Sequence, residues 1–332
     1  MKLFFYCLRE FDELAFCRQF SRQLGIDFDY TTEYPSPKNY ELVKGCEAVS
    51  VIPCDMSAPV LRSFCSLGVK YLLCRSIGYD HVDLDEAERL GMRVANVSYP
   101  PTGVANYAVM LMLMACRKIT HVLRQADMQN FTLNGKIGLD ISACTVGVIG
   151  TGQIGMSVMR VLSGFGCRIL ACDPHKNPHA AGLAEYVSLD RLIAESDIIT
   201  LHTNATSENY HMLNAEAFSR MKSGVIIINT ARGKLIDTDA LVNALESGKV
   251  GFAALDVLEK EDGLYYCDRT GDTIANRDMA VLRSFPNVIL SPHTAFYTKS
   301  AVEHMVKYCF TNAAGFADGS GTDHEVTHRS HH

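Results

Sequence analysis

Arg232, Glu261 and His293 each stand a few residues past an apolar run. Arg232 follows Val225-Ile-Ile-Ile-Asn229-Thr-Ala, Glu261 follows Ala254-Leu-Asp256-Val-Leu-Glu259-Lys260, and His293 follows Val288-Ile-Leu290-Ser-Pro. Open α/β sheets gather their sites beyond the carboxyl ends of the strands, so the three side chains are expected on one edge. An arginine can fork a carboxylate through paired N–H bonds, and a histidine can exchange a proton near neutral pH. With an acid beside them, they suit redox chemistry on a carbonyl that carries a carboxylate. Taken singly, each has a plainer reading. Arg232 can cap a turn, and Glu261 belongs to the acidic run Glu259-Lys-Glu-Asp262, which water can cover. Spacing alone does not choose between Glu261 and Glu259.

A partner for that chemistry is written upstream. Val146-Gly-Val-Ile-Gly150-Thr-Gly152-Gln153-Ile154-Gly155 is an apolar strand, a G-x-G-x-x-G turn and the start of an amphipathic helix, and Asp173 closes the next apolar run. Together these form a dinucleotide-binding signature. Gly150 permits the tight turn, Gly152 lets a pyrophosphate approach the backbone, and Gly155 lets the helix pack close to its strand. The N–H groups that open the helix, at Gln153 and Ile154, face the phosphates. Asp173 can accept from ribose hydroxyls, and its charge repels a 2′-phosphate, which favours NAD over NADP. His175 and Lys176 just beyond it temper that charge.

The elements that must position these residues alternate strand and helix. Strands are expected at 3–8, 27–30, 48–52, 70–74 and 93–97, with helices at 10–24, 58–67 and 83–90 between them. A second series places strands at 145–149, 168–172, 198–201, 225–229, 251–257 and 288–290, with helices at 153–165, 189–196, 215–222 and 239–246. Such alternation implies parallel sheets covered on both faces. Between the series, Pro100-Pro101 starts a helix from 103 to about 125. It is apolar on nearly every face and so is expected to be buried between domains or subunits. A last helix, 298–317, is read as running back towards the first unit.

Composition bounds the rest. The 332 residues are 48% hydrophobic and 20% charged, enough for roughly two domains with sizeable cores. Lys+Arg is 31 against Asp+Glu 37, a net charge of −6, which gives little to grip a nucleic-acid backbone. The longest apolar stretch, 107–116, is far short of a membrane span. The twelve cysteines are scattered with no C-x-x-C. With no secretion signal, the reading is a cytoplasmic protein with reduced, buried thiols and no metal. Residues 327–332 read as the remnant of an expression tag.

The segments Arg75-Ser-Ile-Gly-Tyr-Asp80, Val146 to Gly155, Asn229-Thr-Ala-Arg-Gly-Lys-Leu-Ile-Asp237, Ala254 to Glu261 and Ser291-Pro-His-Thr-Ala-Phe-Tyr-Thr298 occur in order. On these the sequence resembles the D-2-hydroxyacid dehydrogenase family, close to its D-lactate dehydrogenase branch. The resemblance implies two doubly wound parallel-sheet α/β domains, a flavodoxin-like substrate domain and a Rossmann NAD domain, with a cleft that closes on the substrate. The substrate domain would be discontinuous, 1–100 with 296–326, around an NAD domain at 101–295. The implied reaction is reduction of a small 2-keto acid to the (R)-2-hydroxy acid by NADH. The keto acid would be pyruvate or a larger aliphatic or aromatic one, and the enzyme a homodimer.

Roles follow from the same resemblance. Arg232 would hold the substrate carboxylate and polarise the keto oxygen, His293 would be the general acid, and Glu261 would orient the imidazole. Backbone N–H groups at Ile77 and Gly78 would bind the carboxylate, with the Tyr99 hydroxyl as a further donor. Phe296 and Tyr297 would border the substrate side chain. Asp256 would meet the nicotinamide carboxamide, and Thr230 and Ala231 would line the cofactor site. The chain departs from the family pattern at 51–56, where a variable pocket wall has no aromatic residue, and at Asn204, where proline is common. An NAD-sensing binding protein of the corepressor type shares these motifs. The absence of a long disordered tail and of a basic patch speaks against that second reading.

Overall fold

Five short apolar runs open the chain as parallel strands: β1 (Lys2–Phe5), β2 (Asp27–Tyr30), β3 (Ala48–Val51), β4 (Tyr71–Cys74) and β5 (Arg93–Ala95). The computed structural model describes residues 1–261 and 263–327. The strands lie in the order β2-β1-β3-β4-β5, the 2-1-3-4-5 arrangement of flavodoxin-like sheets. β3 is buried along its whole length, as a strand covered on both faces must be. Far along the chain, helix Lys299–Asp318 packs on helix Leu14–Leu24, and Glu325–Val326 pairs antiparallel with β5. Met1–Pro100 and residues 297–327 therefore form one compact unit, and Pro101–Phe296 forms a second. The tag reading at 327–332 falls, from residue 328, outside the described residues, as does Asp262.

The second unit contains β6 (Thr145–Ile149), β7 (Arg168–Cys172), β8 (Glu185–Tyr186), β9 (Ile198–Leu201), β10 (Val225–Asn229), β11 (Val250–Leu255) and β12 (Val288–Leu290). Their order is β8-β7-β6-β9-β10-β11-β12, all parallel. The first six follow the 3-2-1-4-5-6 winding of a Rossmann sheet, which puts the switch point between β6 and β9. Alternation along β10 serves two cores. Ile226 and Ile228 pack with Val146, Val148 and Phe252 on one face, while Val225 and Ile227 pack with Leu201 and Leu255 on the other.

The long apolar helix expected at 103–125 is broken. It forms as Thr102–Cys116 and Ile119–Asp127, separated at Lys118, whose φ of 48° is left-handed. The apolar run stops at Arg117 and Lys118, so no hydrophobic stripe favours carrying the first helix further. Ala105, Ala108, Met112 and Ala115 bury the first piece against the sheet, whereas Met110 is exposed and the second piece buries no residue. Among the described residues no helix is long and apolar enough to cross a membrane.

Candidate active site

His293 leaves the end of β12 with its backbone in the left-handed region, φ 53°. Its N–H donates to the carbonyls of Asp256 (2.8 Å) and Ser291 (3.0 Å). The imidazole Nδ1 lies 2.5 Å from Oε1 of Glu261, whose Oε2 accepts the Leu258 N–H at 2.8 Å. A carboxylate only accepts, so Nδ1 carries the proton of this bond and Nε2 is the nitrogen left for chemistry. Phe296 meets the ring edge-on at 6.3 Å between centroids, and the Tyr266 hydroxyl donates to the His293 carbonyl at 2.9 Å. The two acids that spacing could not separate are thereby separated. Glu259 turns away, to Nε2 of His211 at 3.0 Å and the Tyr210 hydroxyl at 2.9 Å.

Asp256 is fully buried at the end of β11. Its carboxylate accepts from Ser291 Oγ (2.5 Å), Thr294 N–H (3.0 Å) and Ala295 N–H (2.8 Å). The resemblance gave it a nicotinamide contact. In the structure these bonds brace the loop that carries His293. On the neighbouring strand, Asn229 closes the Thr230-Ala231-Arg232 turn. Its Nδ2 donates to the Arg232 carbonyl at 2.9 Å, and its Oδ1 accepts the Ala231 N–H at 3.0 Å. Arg232 itself is half-buried.

The glycine-rich turn follows β6. Gly150 has φ +92°, and a Cβ there would lie 2.4 Å from the His202 carbonyl oxygen. A Cβ on Gly155 would lie 2.0 Å from the Gly150 carbonyl oxygen. Both positions therefore require glycine. A Cβ on Gly152 would meet nothing within 4 Å, so this stretch of backbone is open to a ligand. Helix Gln153–Ser163 begins here with no side chain capping its first N–H groups, which leaves them available to an anion. Asp173 steadies the turn: its Oδ2 accepts from Thr151 N–H at 2.6 Å and Thr151 Oγ1 at 3.1 Å.

Two buried polar atoms past the ends of β9 and β10 lack partners among the described residues: Nδ1 of His202, whose carbonyl abuts Gly150, and Oγ1 of Thr230. Burial pushes the His202 pKa down to about 3. Open glycine backbone, uncapped helix N–H groups and unspent polar atoms fit a dinucleotide. His202, Thr151 and Tyr266 were not found from sequence. Only His202, following β9 at the switch point, carried a signal that could have revealed it.

The remaining expected residues belong to the other unit. Ile77 and Gly78 are half-buried, and among the described residues no acceptor meets their N–H groups. Their carbonyls are held by Asn96 Nδ2 (2.8 Å) and Ser76 Oγ (2.7 Å). Just after β4, Arg75, fully buried, reaches Glu13 at the start of helix Leu14–Leu24 (3.2 Å), the Tyr6 carbonyl past β1 (2.7 Å) and Ser50 Oγ of β3 (3.0 Å). Tyr99 is half-buried on the chain after β5. Tyr297 donates its hydroxyl to Asp12 at 2.6 Å and lies under the Arg9 guanidinium. Thus His293, Glu261, Asp256 and Phe296 come together, with Arg232 on the adjoining strand's loop. Ile77, Gly78, Tyr99 and Tyr297 are carried by the first unit.

The family model described as D-isomer specific 2-hydroxyacid dehydrogenase, NAD binding domain, matches residues 109–295. An aromatic 2-oxoacid reductase of Clostridium sporogenes is 40% identical, over 95% of this chain and 96% of its own. The D-lactate dehydrogenase of Escherichia coli is 38% identical, over 98% of this chain and 100% of its own. Among solved structures, a D-2-hydroxyisocaproate dehydrogenase superposes with a TM-score of 0.88 at 33% identity, covering 98% of this chain and 100% of that one. These relatives are named as reductases and dehydrogenases, which disfavours the corepressor-like alternative. The chain belongs to the D-isomer specific 2-hydroxyacid dehydrogenases, NAD-dependent oxidoreductases acting on 2-keto and 2-hydroxy acids.

Proposed function

We propose that this enzyme reduces a small 2-keto acid to the (R)-2-hydroxy acid with His293 as general acid. The observation that carries the reading is the 2.5 Å contact between Glu261 Oε1 and His293 Nδ1. It fixes the tautomer and leaves Nε2 to deliver a proton to the keto oxygen. NADH, when bound, supplies the hydride to the keto carbon. Arg232 forks the substrate carboxylate and polarises the keto oxygen, so the charge that develops there is met by a fixed cation. The N–H groups of Ile77 and Gly78 take the carboxylate too, with the Tyr99 hydroxyl beside them. Phe296 and Tyr297 border the substrate side chain. Asp256 keeps the His293 loop in register and meets the nicotinamide carboxamide of the bound cofactor.

For the cofactor, Gly150, Gly152 and Gly155 with the N–H groups of Gln153 and Ile154 hold the pyrophosphate. Asp173 takes the adenosine ribose, and Thr230 and Ala231 line the nicotinamide half. Relatives named for lactate, isocaproate and aromatic substrates bracket the substrate class. The stretch 51–56, without an aromatic side chain, favours acceptance of groups larger than the pyruvate methyl. One methylene contact is worth only about 1–3 kcal/mol, so several chain lengths are used.

We assign the enzyme to the cytoplasm, where its twelve unpaired thiols stay reduced. It acts there as a homodimer. NADH consumption with pyruvate, 2-ketoisocaproate and phenylpyruvate tests the reading, and chiral chromatography of the product tests its stereochemistry. No turnover on any of the three, or an (S) product, would overturn it.

A further inference from the structure

Three backbone segments meet behind the arginine and glutamate loops, all within Pro101–Phe296. Gly233 follows Arg232, and a Cβ on it would fall 2.0 Å from the Leu258 carbonyl carbon and 2.3 Å from the Glu259 nitrogen. The arginine loop therefore rests backbone on backbone against the chain that leads to Glu261. Segment 210–214 runs alongside as the third piece. His211 N–H donates to the Lys234 carbonyl (2.9 Å), Leu213 N–H donates to the Leu235 carbonyl (3.1 Å), and Asp237 N–H returns to the Leu213 carbonyl (3.1 Å).

From this third segment two side chains reach Glu259. The His211 Nε2 stands 3.0 Å from one carboxylate oxygen, and the Tyr210 hydroxyl donates to the other at 2.9 Å. The Tyr210 ring stacks on the imidazole at 3.9 Å, and Asp237 Oδ2 stands 3.9 Å from Nδ1. The Glu259 side chain is only 13% exposed, unlike a solvated surface pair, which contributes little. His211 (φ 52°) and Lys260 (φ 61°) both occupy the left-handed region. Residues with a Cβ are held there only where their surroundings over-determine the backbone. The turn at Lys260 lies between the two acids, which grip different histidines: Glu259 grips His211 and Glu261 grips His293.

We infer that Glu259 and His211 are a positioning pair for the reaction. They pin the peptide leading to Glu261 onto the loop carrying Arg232, so that the orienting carboxylate and the substrate-binding guanidinium keep one spacing. Neither touches a reacting atom, and the inference rests on the catalytic roles proposed for Glu261 and Arg232.

A double-mutant cycle on the full-length enzyme tests it. His211→Ala should lower kcat about tenfold or more, as small misplacements of catalytic groups do, with NADH affinity by NADH fluorescence within about twofold. In the Glu261→Gln background the same change should cost less than about threefold further, because residues acting through one another are non-additive. Glu259→Gln, which still accepts from Tyr210, should keep more kcat than Glu259→Ala. Should His211→Ala fail to fold, Glu259→Gln and Glu259→Ala in the same two backgrounds give the same comparison. A kcat within twofold of wild type, or an equal cost in both backgrounds, would overturn the pair while leaving the catalytic assignment standing. A Glu261→Gln enzyme with wild-type kcat would instead sink that assignment, and this inference with it.

Discussion

Nδ1 of His293 and Oε1 of Glu261 lie 2.5 Å apart, although the two residues come from the ends of different strands. The contact depends on backbone as much as on side chains. His293 is held at φ 53° by its own N–H bonds to Asp256 and Ser291, and Glu261 is anchored through its second oxygen to the Leu258 N–H. The carboxylate therefore has one oxygen for the imidazole and one for the protein frame.

Different losses follow from removing either partner. His293→Gln deletes the proton donor, and kcat for 2-keto acid reduction should fall by on the order of a hundredfold or more, with NADH affinity unchanged. Glu261→Gln keeps the shape but can present its amide N–H to the ring, which leaves the imidazole free to adopt the wrong tautomer. Its kcat should fall by about tenfold or more. Steady-state kinetics with NADH fluorescence titrations checks both, and a His293→Gln enzyme turning over near the normal rate would refute the assignment.

Asp173 carries two jobs that substitution can separate. It accepts from Thr151 in the glycine-rich turn, and its charge opposes a 2′-phosphate. Asp173→Asn keeps an acceptor for Thr151 and removes the charge, so the preference of kcat/KM for NADH over NADPH should narrow by about tenfold, worth about 1.4 kcal/mol. Asp173→Gly should also weaken NADH itself, because the turn loses its anchor. An unchanged cofactor ratio in the Asn variant would exclude charge as the discriminator.

Phe131, Leu133 and Ile137 are 76%, 87% and 84% exposed on the segment after helix Ile119–Asp127, which itself buries no residue. We expect the homodimer contact to use this segment, because three apolar side chains within seven residues are left to solvent. If it is the homodimer contact, Leu133→Asp combined with Phe131→Ser should convert the protein to a monomer in light scattering. Far-UV circular dichroism should stay unchanged. A wild-type monomer, or a doubly substituted dimer, would move the interface elsewhere or remove it.

Much of this was legible in the sequence for a physical reason. Strands such as Ile198–Leu201 and Val225–Asn229 are buried on both faces, so they read as short, mainly apolar runs with sharp ends. The two-residue strands Glu185–Tyr186 and Glu325–Val326 have no periodicity to read. The helix break at Lys118 is a left-handed residue unannounced by glycine. The choice of Glu261 over Glu259 rests partly on the same kind of event, at Lys260 and His293. Residue types pointed to a carboxylate and an imidazole, whereas non-glycine residues at positive φ, which composition rarely signals, decided which carboxylate. Tyr266, whose hydroxyl holds the His293 carbonyl, is left-handed as well.

His202 gives the enzyme a pH-dependent stability. Its Nε2 is 2.9 Å from Thr200 Oγ1, its Nδ1 is buried without a partner among the described residues, and burial holds its pKa near 3. Unfolded, the ring titrates at about 6.5. Between these values the unfolded chain binds a proton that the folded one refuses, so stability rises with pH through this window. The contribution is complete above about pH 6.5 and is lost progressively as pH falls towards about 3. The loss approaches 1.4 kcal/mol per pH unit at most, and it is smaller here because part of the residue meets solvent. His202→Gln removes the titration but keeps a group that can hydrogen-bond Thr200. Urea unfolding of both proteins at about pH 7.5 and about pH 5 should show the wild type losing more stability than the variant, by about 1 kcal/mol. Equal losses in the two proteins would mean that His202 takes up its proton in the folded state.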